Sequence, residues 1–303
     1  AEDPKSAELL KPFLEGKDLK KWRIEPQNLW LIYIPKNAIA IDDYPAIKAH
    51  LLPFRAKLEK RATQQAWFEL QQPQAAYIRD FESPKLIYPE MSQGPKFSLD
   101  REGRYLSNKV FYVPATDWFL VGLLNSKAVW HYLFGICSPL RGGEWRLELR
   151  AQHVETLPIP AAGDVQRQEV ARLAEECQRT AETRRIAQTD FCRRIPDLAP
   201  GGATAKLSTR LNEWWKLADF KAFQAEVKKQ FRQDIPLAER NAWEDWFARQ
   251  KADVDALSAR LTALEADLNR AVYALFKLDA QDIALLEGAA PNPQRMGDEG
   301  ESQ

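Results

Sequence analysis

The stretch Leu124–Pro160, LNSKAVWHYLFGICSPLRGGEWRLELRAQHVETLPIP, separates two kinds of sequence. Its apolar first part predicts a helix, and the Arg-Gly-Gly loop that follows has the backbone freedom of paired glycines. Alternating residues at Trp145–Arg150 then predict a half-exposed strand, and Leu157–Pro160 closes the stretch. Strand and helix patterns alternate before it, whereas helical patterns dominate after it. We therefore predict an α+β fold with a boundary near residue 160.

The bulk composition excludes several classes of protein. The chain has 303 residues, of which 45% are hydrophobic, enough for two cores, and its formal net charge is zero. A neutral chain is not a general polyanion binder, so only local basic patches remain to be considered. Three widely spaced cysteines favour neither a disulfide set nor a zinc site. These cysteines favour a reduced, cytoplasmic location. With no apolar run near ~20 residues, we expect no membrane partner.

The distribution of strand, helix and polar patterns along the sequence predicts three parts. Residues 1–160 are expected to form a mixed α/β domain, and residues 161–289 an all-helical extension. Residues 290–303 are rich in charge, Pro and Gly with little to bury, which is typical of a disordered tail. The abrupt opening AEDPKSAELL is expected to continue a longer polypeptide.

Local patterns within the first part predict particular elements. The apolar run Trp30–Ile34 predicts a buried strand, and Tyr44–Arg61 predicts a helix that Pro53 bends. The segments Lys96–Leu99 and Val110–Val113 are expected to pair through the polar turn between them. Each of these expectations rests on local sequence alone.

The long helices form the second group of predictions. Trp118–Phe134 is expected to be two helices broken near Asn125-Ser126, with Ser126 capping the second. Ala238–Leu278 is the longest predicted helix, and its apolar seam repeats at intervals of three and four residues, as a heptad does. We predict that Val165–Arg194 returns antiparallel to cover this seam, in a pair resembling a coiled coil. The seam comprises Val254, Leu257, Leu261, Leu264, Leu268, Ala271, Leu275 and Leu278.

Signatures of catalysis are sparse. The sequence contains no Gly-rich nucleotide-binding loop, no Asn/Asp-Pro-Pro-Tyr, no His-Glu-x-x-His and no Gly-x-Ser-x-Gly. Glu15-Gly16-Lys17 and Glu226-Val227-Lys228 have the short Glu-x-Lys form found in some metal-dependent nucleases. The second lies on a predicted helix, where residues two apart do not share a face. No catalytic residue and no metal ligand is predicted.

Two basic clusters are the candidate binding residues. Arg can contact guanine edges with two hydrogen bonds, Asn can contact adenine, and glycine backbone amides can approach phosphate. Ordinary solvated charge is the competing interpretation. The first cluster surrounds the predicted turn and the second flanks the Gly-Gly loop: they comprise Arg101, Arg104, Asn108 and Lys109, and Arg141, Gly142, Gly143, Arg146 and Arg150.

Several short motifs, taken in order, resemble the TaqI-like specificity domain, the target-recognition half of N6-adenine DNA methyltransferases and of single-chain restriction-modification enzymes. The resemblance covers about residues 9–160, and the helical remainder is similar to the extension that such proteins often carry. The motifs are Lys11-Pro12-Phe13-Leu14 with Gly16-Lys17-Asp18, Tyr44-Pro45, Leu52-Pro53-Phe54, Trp67-Phe68-Glu69-Leu70, Lys85–Glu90, Leu124-Asn125-Ser126 and Leu157–Pro160.

The resemblance implies a division of labour. In the family, a separate domain binds S-adenosylmethionine and methylates an adenine flipped out of the duplex. That domain is absent here, so the resemblance implies a DNA-recognition fragment with no cofactor of its own, whose partners are double-stranded DNA and the catalytic methyltransferase domain. We expect five residues, Arg101, Arg104, Asn108, Arg141 and Arg146, to contact base edges, and Lys109, Arg150 and the Gly142-Gly143 backbone to contact phosphates.

Two alternatives stay open at this point. In the first, the chain is a helical interaction scaffold within a restriction-modification complex, with the heptad seam docking another protein. In the second, it is a self-contained nuclease built on Glu15 or Glu226.

Overall fold

The computed structural model describes residues 3–73, 75–140, 145–200 and 206–288. The chain divides into two compact units, one of Ala1–Ile159 with Ala280–Gln303 and the other of Pro160–Asp279. Among the described residues, no helix combines the length and the apolar character needed to cross a bilayer. The predicted tail at 290–303 lies outside the described residues.

The first unit is built on short strands, which form small separate sheets. They are β1 Leu10–Leu14, β2 Leu19–Lys20, β3 Arg23–Ile24, β4 Leu29–Ile32, β5 Lys85–Pro89, β6 Met91–Ser92, β7 Ser98–Asp100, β8 Tyr105–Leu106, β9 Val110–Val113, β10 Pro139–Leu140 and β11 Arg146–Glu148.

Strand β5 is the centre of the first unit. All five of its residues are buried, and it pairs antiparallel with β7 on one side and with β9 on the other. The predicted pairing of Lys96–Leu99 with Val110–Val113 is therefore wrong, because β5 lies between these segments. The physical reason is non-local: Asp100 at the end of β7 binds Lys85 of β5, and the chain then leaves the sheet so that β8 pairs with β1.

Strand β1 joins a second sheet in the order β4-β1-β8. Strand β4 confirms the strand predicted near Trp30–Ile34, but the expectation that all of it is buried is wrong, since Trp30 is 61% exposed. Its register with β1 places Trp30 opposite Pro12 at the edge of the sheet. The residues that reach the core lie at the end of this run, where Ile34 is buried.

The third sheet and a two-stranded hairpin complete the strand structure. Strand β11 pairs antiparallel with β10 and β6, and β2 pairs antiparallel with β3. In β11, Leu147 is buried between exposed Arg146 and half-buried Glu148, so the predicted alternation is confirmed here.

The helices of the first unit follow the local signals closely. Pro53 lies in a 3-10 turn between α1 and α2, as predicted, and the Ser126 hydroxyl caps α5 by accepting a hydrogen bond from the Val129 amide at 3.3 Å. Helix α11 belongs to this unit and forms an ion pair between Glu287 and Lys127 of α5. The helices are α1 Pro45–Leu51, α2 Arg55–Leu58, α3 Ile78–Glu82, α4 Trp118–Leu124, α5 Lys127–Ile136, α6 Ala151–Glu155 and, after the second unit, α11 Ala280–Gly288.

The second unit is helical. Arg184 of its first long helix contacts Ser258 at 3.2 Å, and Phe191 of the same helix stacks near Trp246. The residue number falls on one helix as it rises on the other, so the two helices are antiparallel, as predicted. Five seam positions, Val254, Leu261, Leu264, Leu268 and Leu275, are buried. The helices are α7 Asp164–Cys192, α8 Thr209–Asn212, α9 Phe220–Phe231 and α10 Leu237–Phe276.

An aromatic cluster anchors the helices of the second unit. Phe191 is fully buried, with its ring centroid 4.1 Å from that of Trp214 and 4.5 Å from that of Trp246. Phe223 of α9 and Phe247 of α10 complete the cluster around it. Large aromatic rings contribute much buried apolar area, so this cluster is a substantial source of packing free energy in this unit.

Candidate nucleic-acid interface

A basic cleft of about 620 Å³ opens on the first unit. Its walls come from the turn after β1, β2, the consecutive strands β5 and β6, the connection into β7, the turn between β8 and β9, and β11. Among the described residues, five cationic side chains and one carboxylate line it. The cations are Lys17, Lys20, Lys96, Lys109 and Arg146, and the carboxylate is Glu15.

Two turns that form one wall of the cleft pack closely. The Glu15 amide donates a hydrogen bond to the Asp18 carboxylate at 2.8 Å, which fixes the short 3-10 turn Gly16–Asp18. A Cβ at Gly16 would lie 3.1 Å from the carbonyl oxygen of Lys109, so a larger residue there would crowd the neighbouring turn. The absence of a side chain at Gly16 thus lets the turn that carries Lys17 approach the turn that carries Asn108 and Lys109.

Two of the five cations have a carboxylate partner. The Lys17 ammonium lies 2.5 Å from Glu15, and the Lys109 ammonium lies 2.6 Å from Glu90. Hydrogen bonding to Glu15 raises the pKa of Lys17. These pairs are solvated at the rim, where an ion pair contributes little to stability.

The other three cations, Lys20, Lys96 and Arg146, differ from that pair. Within the described parts of the chain, no carboxylate forms an ion pair with any of them. Burial lowers the pKa of the half-buried Lys96 ammonium, and the charges of Lys20 and Arg146 lower it further. The cleft therefore contains a group of mutually repelling cations.

Three of the nine residues predicted from sequence line this cleft: Asn108, Lys109 and Arg146. Asn108 and Arg146 are exposed, as a residue that contacts another molecule must be. The structure thus brings together members of both basic clusters, although they are far apart in the sequence. Arg141, Gly142 and Gly143 lie outside the described residues.

The remaining predicted residues lie elsewhere on the first unit. Arg101 is exposed, with its guanidinium 5.3 Å from the centroid of the Trp118 ring. The Arg104 guanidinium donates to Asp100 at 3.0 Å and pairs with Glu102. Arg150 is exposed and pairs with Glu148 at 2.8 Å, which raises the pKa of the Arg150 guanidinium.

The turn that carries Arg101 and Arg104 is held by a buried ion pair. The Lys85 ammonium lies 2.8 Å from the Asp100 carboxylate, and both side chains are fully buried. The same carboxylate accepts hydrogen bonds from the backbone amides of Glu102 at 3.2 Å and Arg104 at 2.9 Å. Asp100 therefore fixes the path of the turn.

Three lysines of the cleft, Lys17, Lys20 and Lys96, were not predicted from the sequence as members of the site. Lys20-Lys21 is a visible pair of charges, and Lys96 follows Gly94-Pro95, but each stands alone in its local sequence. These lysines lie in one cleft because of how the chain folds through its small sheets, which no local pattern shows.

In each Glu-x-Lys triplet the carboxylate pairs with a basic side chain. Glu226 is buried and binds Arg210 at 2.5 Å, and Glu15 binds Lys17. Among the described residues, no group of three His, Cys, Asp or Glu side chains is placed to hold a metal ion.

Comparison with known proteins places the first unit in a family. The family model described as the TaqI-like C-terminal specificity domain matches residues 11–159. This part of the chain belongs to that family. The match coincides closely with the first unit up to Ile159, where the second unit begins. The resemblance found in the sequence motifs is thereby confirmed for the TaqI-like specificity domain.

Two further similarities extend beyond the first unit. Residues 163–272 match a family described as a domain of unknown function (DUF8810). A solved structure of the Type IIL restriction-modification enzyme MmeI in complex with DNA is similar over 98% of this chain, with 13% sequence identity and a TM-score of 0.48. The chain spans about a third of that protein, 32% of its length.

Proposed function

We propose that the first unit selects a double-stranded DNA sequence for a restriction-modification enzyme. One observation carries the proposal: in a specificity domain of the TaqI-like family, the described cleft is lined by five cations and one carboxylate. Phosphate contacts dominate the affinity of proteins for DNA, and contacts to base edges give specificity. The cleft offers both, because exposed Asn108 lies beside its lysines.

The proposed roles follow from the chemistry of each side chain. Asn108 forms paired hydrogen bonds with a base edge, which an adenine accommodates in the major groove. Lys109 contacts a backbone phosphate from the same turn. Arg101 extends the surface next to Trp118, and Arg150 supports phosphate binding near β11. Arg104 acts mainly by holding the turn, since its guanidinium is occupied by Asp100 and Glu102.

The chemistry is proposed to belong to another domain of the parent protein. The resemblance to adenine-specific enzymes points to S-adenosylmethionine-dependent methylation at adenine N6, and a nuclease activity is compatible with it. No residue of the present chain is assigned to the cofactor. We place the parent protein in the cytoplasm, where its DNA substrate is found.

The scaffold alternative is not favoured. It requires an uncovered seam on α10, whereas the seam is packed in the structure: Arg184 and Phe191 of α7 contact α10, and Val254, Leu261 and Leu264 are buried. The long helices are better explained as a unit that packs its own seam.

Selection from a pool of randomised duplexes tests the proposal. The 303-residue chain, immobilised through its C-terminus, should enrich a defined motif over successive rounds. Asn108→Ala should relax one position of that motif, at a cost of about 1–3 kcal/mol in discrimination. Asn212→Ala, a change in the second unit, is the matched control and should leave the motif unchanged. A pool that stays random after selection with the unaltered chain would refute sequence recognition.

A further inference from the structure

Three cations meet in the cleft from three separate segments of the chain. Lys20 ends β2, Lys96 lies in the connection between β6 and β7, and Arg146 begins β11. All three line the same concave surface, and Lys20 and Arg146 lie within electrostatic range of Lys96. Their meeting is thus a product of the tertiary fold.

The arrangement costs free energy in the unbound protein. Like charges placed together repel, and a half-buried ammonium loses part of its hydration. Lys17 and Lys109, in the same cleft, are compensated by Glu15 and Glu90. In the part of the chain that the structure describes, no such carboxylate accompanies the three cations, so a bound anion is what would offset their repulsion.

We propose that Lys20, Lys96 and Arg146 form a binding site for one phosphate group of the DNA backbone. The inference rests on the proposed function and adds one phosphate-binding position to the proposed DNA-binding surface. A phosphodiester carries one negative charge and two free oxygens, which suit the planar fork of Arg and the point charges of two lysines. Inorganic phosphate has the same chemistry and is the simplest probe of the site.

The inference changes the role expected for Arg146. The sequence suggested that Arg146 contacts a base edge, whereas its place beside Lys20 and Lys96 assigns it to the backbone. Removal of a phosphate contact weakens binding to every sequence equally, while removal of a base contact affects one position only. The two roles are therefore separable by experiment.

The first test is the salt dependence of binding to a duplex of arbitrary sequence, measured by fluorescence anisotropy with the full chain. Lys96→Met removes the charge and keeps the aliphatic stem. The slope of log K against log salt should fall by about 0.9 when the protein neutralises one phosphate fewer. This corresponds to roughly 3.5-fold less loss of affinity between 50 and 200 mM salt.

Two variants control this test. Lys48→Met removes an exposed cation of the first unit that lies outside the cleft and has a carboxylate partner, Asp42, and it should leave the slope unchanged. Lys96→Arg keeps the charge and should restore the slope of the unaltered protein. Equal slopes for the unaltered protein and Lys96→Met would overturn the inference, as would an equal reduction by Lys48→Met.

The second test does not depend on DNA binding. Lysine acetylation is followed by mass spectrometry with and without inorganic phosphate, at constant ionic strength. Lys20 and Lys96 should be protected several-fold and Lys17 should not. If the chain binds no duplex but phosphate still protects these lysines, the proposed function fails and the site is one for free phosphate. If inorganic phosphate does not protect them, the anion site itself is refuted.

Discussion

Breaking the buried ion pair beneath the Arg101–Arg104 turn should destabilise the first unit, and the cost should depend on which partner is removed. Lys85 and Asp100 are both fully buried, and loss of one member of such a pair costs about 3–5 kcal/mol because the other charge stays buried. After Lys85→Met, the Asp100 carboxylate keeps three donors: two backbone amides and the Arg104 guanidinium. We therefore expect Lys85→Met to lower the free energy of unfolding of the first unit by about 3 kcal/mol, the lower end of the range.

Removal of Asp100 leaves a worse situation. After Asp100→Asn, the Lys85 ammonium keeps neutral acceptors, the carbonyl oxygens of Phe81 at 2.7 Å and Ser83 at 3.4 Å and the Asn oxygen, but it loses the carboxylate that neutralised its buried charge. The NH2 group of the Asn side chain would also face hydrogen-bond donors, the two backbone amides and the Arg104 guanidinium, that now donate to the carboxylate. We expect Asp100→Asn to lower the free energy of unfolding by about 4–5 kcal/mol. The double variant should lose less stability than the sum of the two single variants.

Hydrogen exchange at the β5 amides measures this cost directly, because it reports the opening of the first unit alone. Lys48→Met, which removes an exposed ion pair with Asp42, is the control and should cost less than about 1 kcal/mol. A smaller cost for Asp100→Asn than for Lys85→Met would refute the reasoning from remaining donors. Costs as small as that of the control would refute the role of the pair altogether.

Three further predictions concern stability. Gly103 has φ +64°, and a Cβ there would lie 2.8 Å from the Glu82 carbonyl oxygen, so Gly103→Ala should cost about 2–3 kcal/mol by hydrogen exchange, with Gly94→Ala as a near-neutral control. Phe191→Ala should destabilise the second unit by about 3–5 kcal/mol in urea denaturation, since it empties the centre of the aromatic cluster; a loss below about 1 kcal/mol would contradict that role. The pKa of Lys96 is lowered in the folded protein, so its charged form is less favourable there than in the unfolded chain. The free energy of unfolding should therefore rise as the pH increases from this lowered pKa to the ordinary lysine value near ~10.4. Lys96→Met should therefore melt at a higher temperature than the unaltered protein at pH 7, by a margin that shrinks toward pH 10, and a lower melting temperature would contradict the proposed repulsion.

Local signals in the sequence predicted the helices well. Ser126 caps α5 and Pro53 bends the α1–α2 segment because capping and proline geometry depend on a few neighbouring residues. The seam of α10 was visible for the same reason, since its period is a property of one helix. The antiparallel pairing with α7 then followed from the need to cover that seam.

Strand partners and the full site were not predictable in this way. The chain segment that separates β7 from β9 in the sheet is β5, which precedes both, and its placement depends on Lys85 and Asp100 meeting across the fold. Lys20 and Lys96 show no distinguishing local pattern, so only the assembled sheets reveal that they lie with Arg146. Sequence alone could predict Asn108, Lys109 and Arg146, because polar and charged loops are visible in it.

The ratio of two dissociation constants tests the central claim most directly. The full chain is titrated with the duplex enriched by selection and with a scrambled duplex of the same composition, across a series of salt concentrations. If the first unit recognises sequence, the enriched duplex should bind at least ~10-fold more tightly at every salt concentration, the discrimination given by about one paired base contact. Equal dissociation constants for the two duplexes throughout the series would contradict the claim.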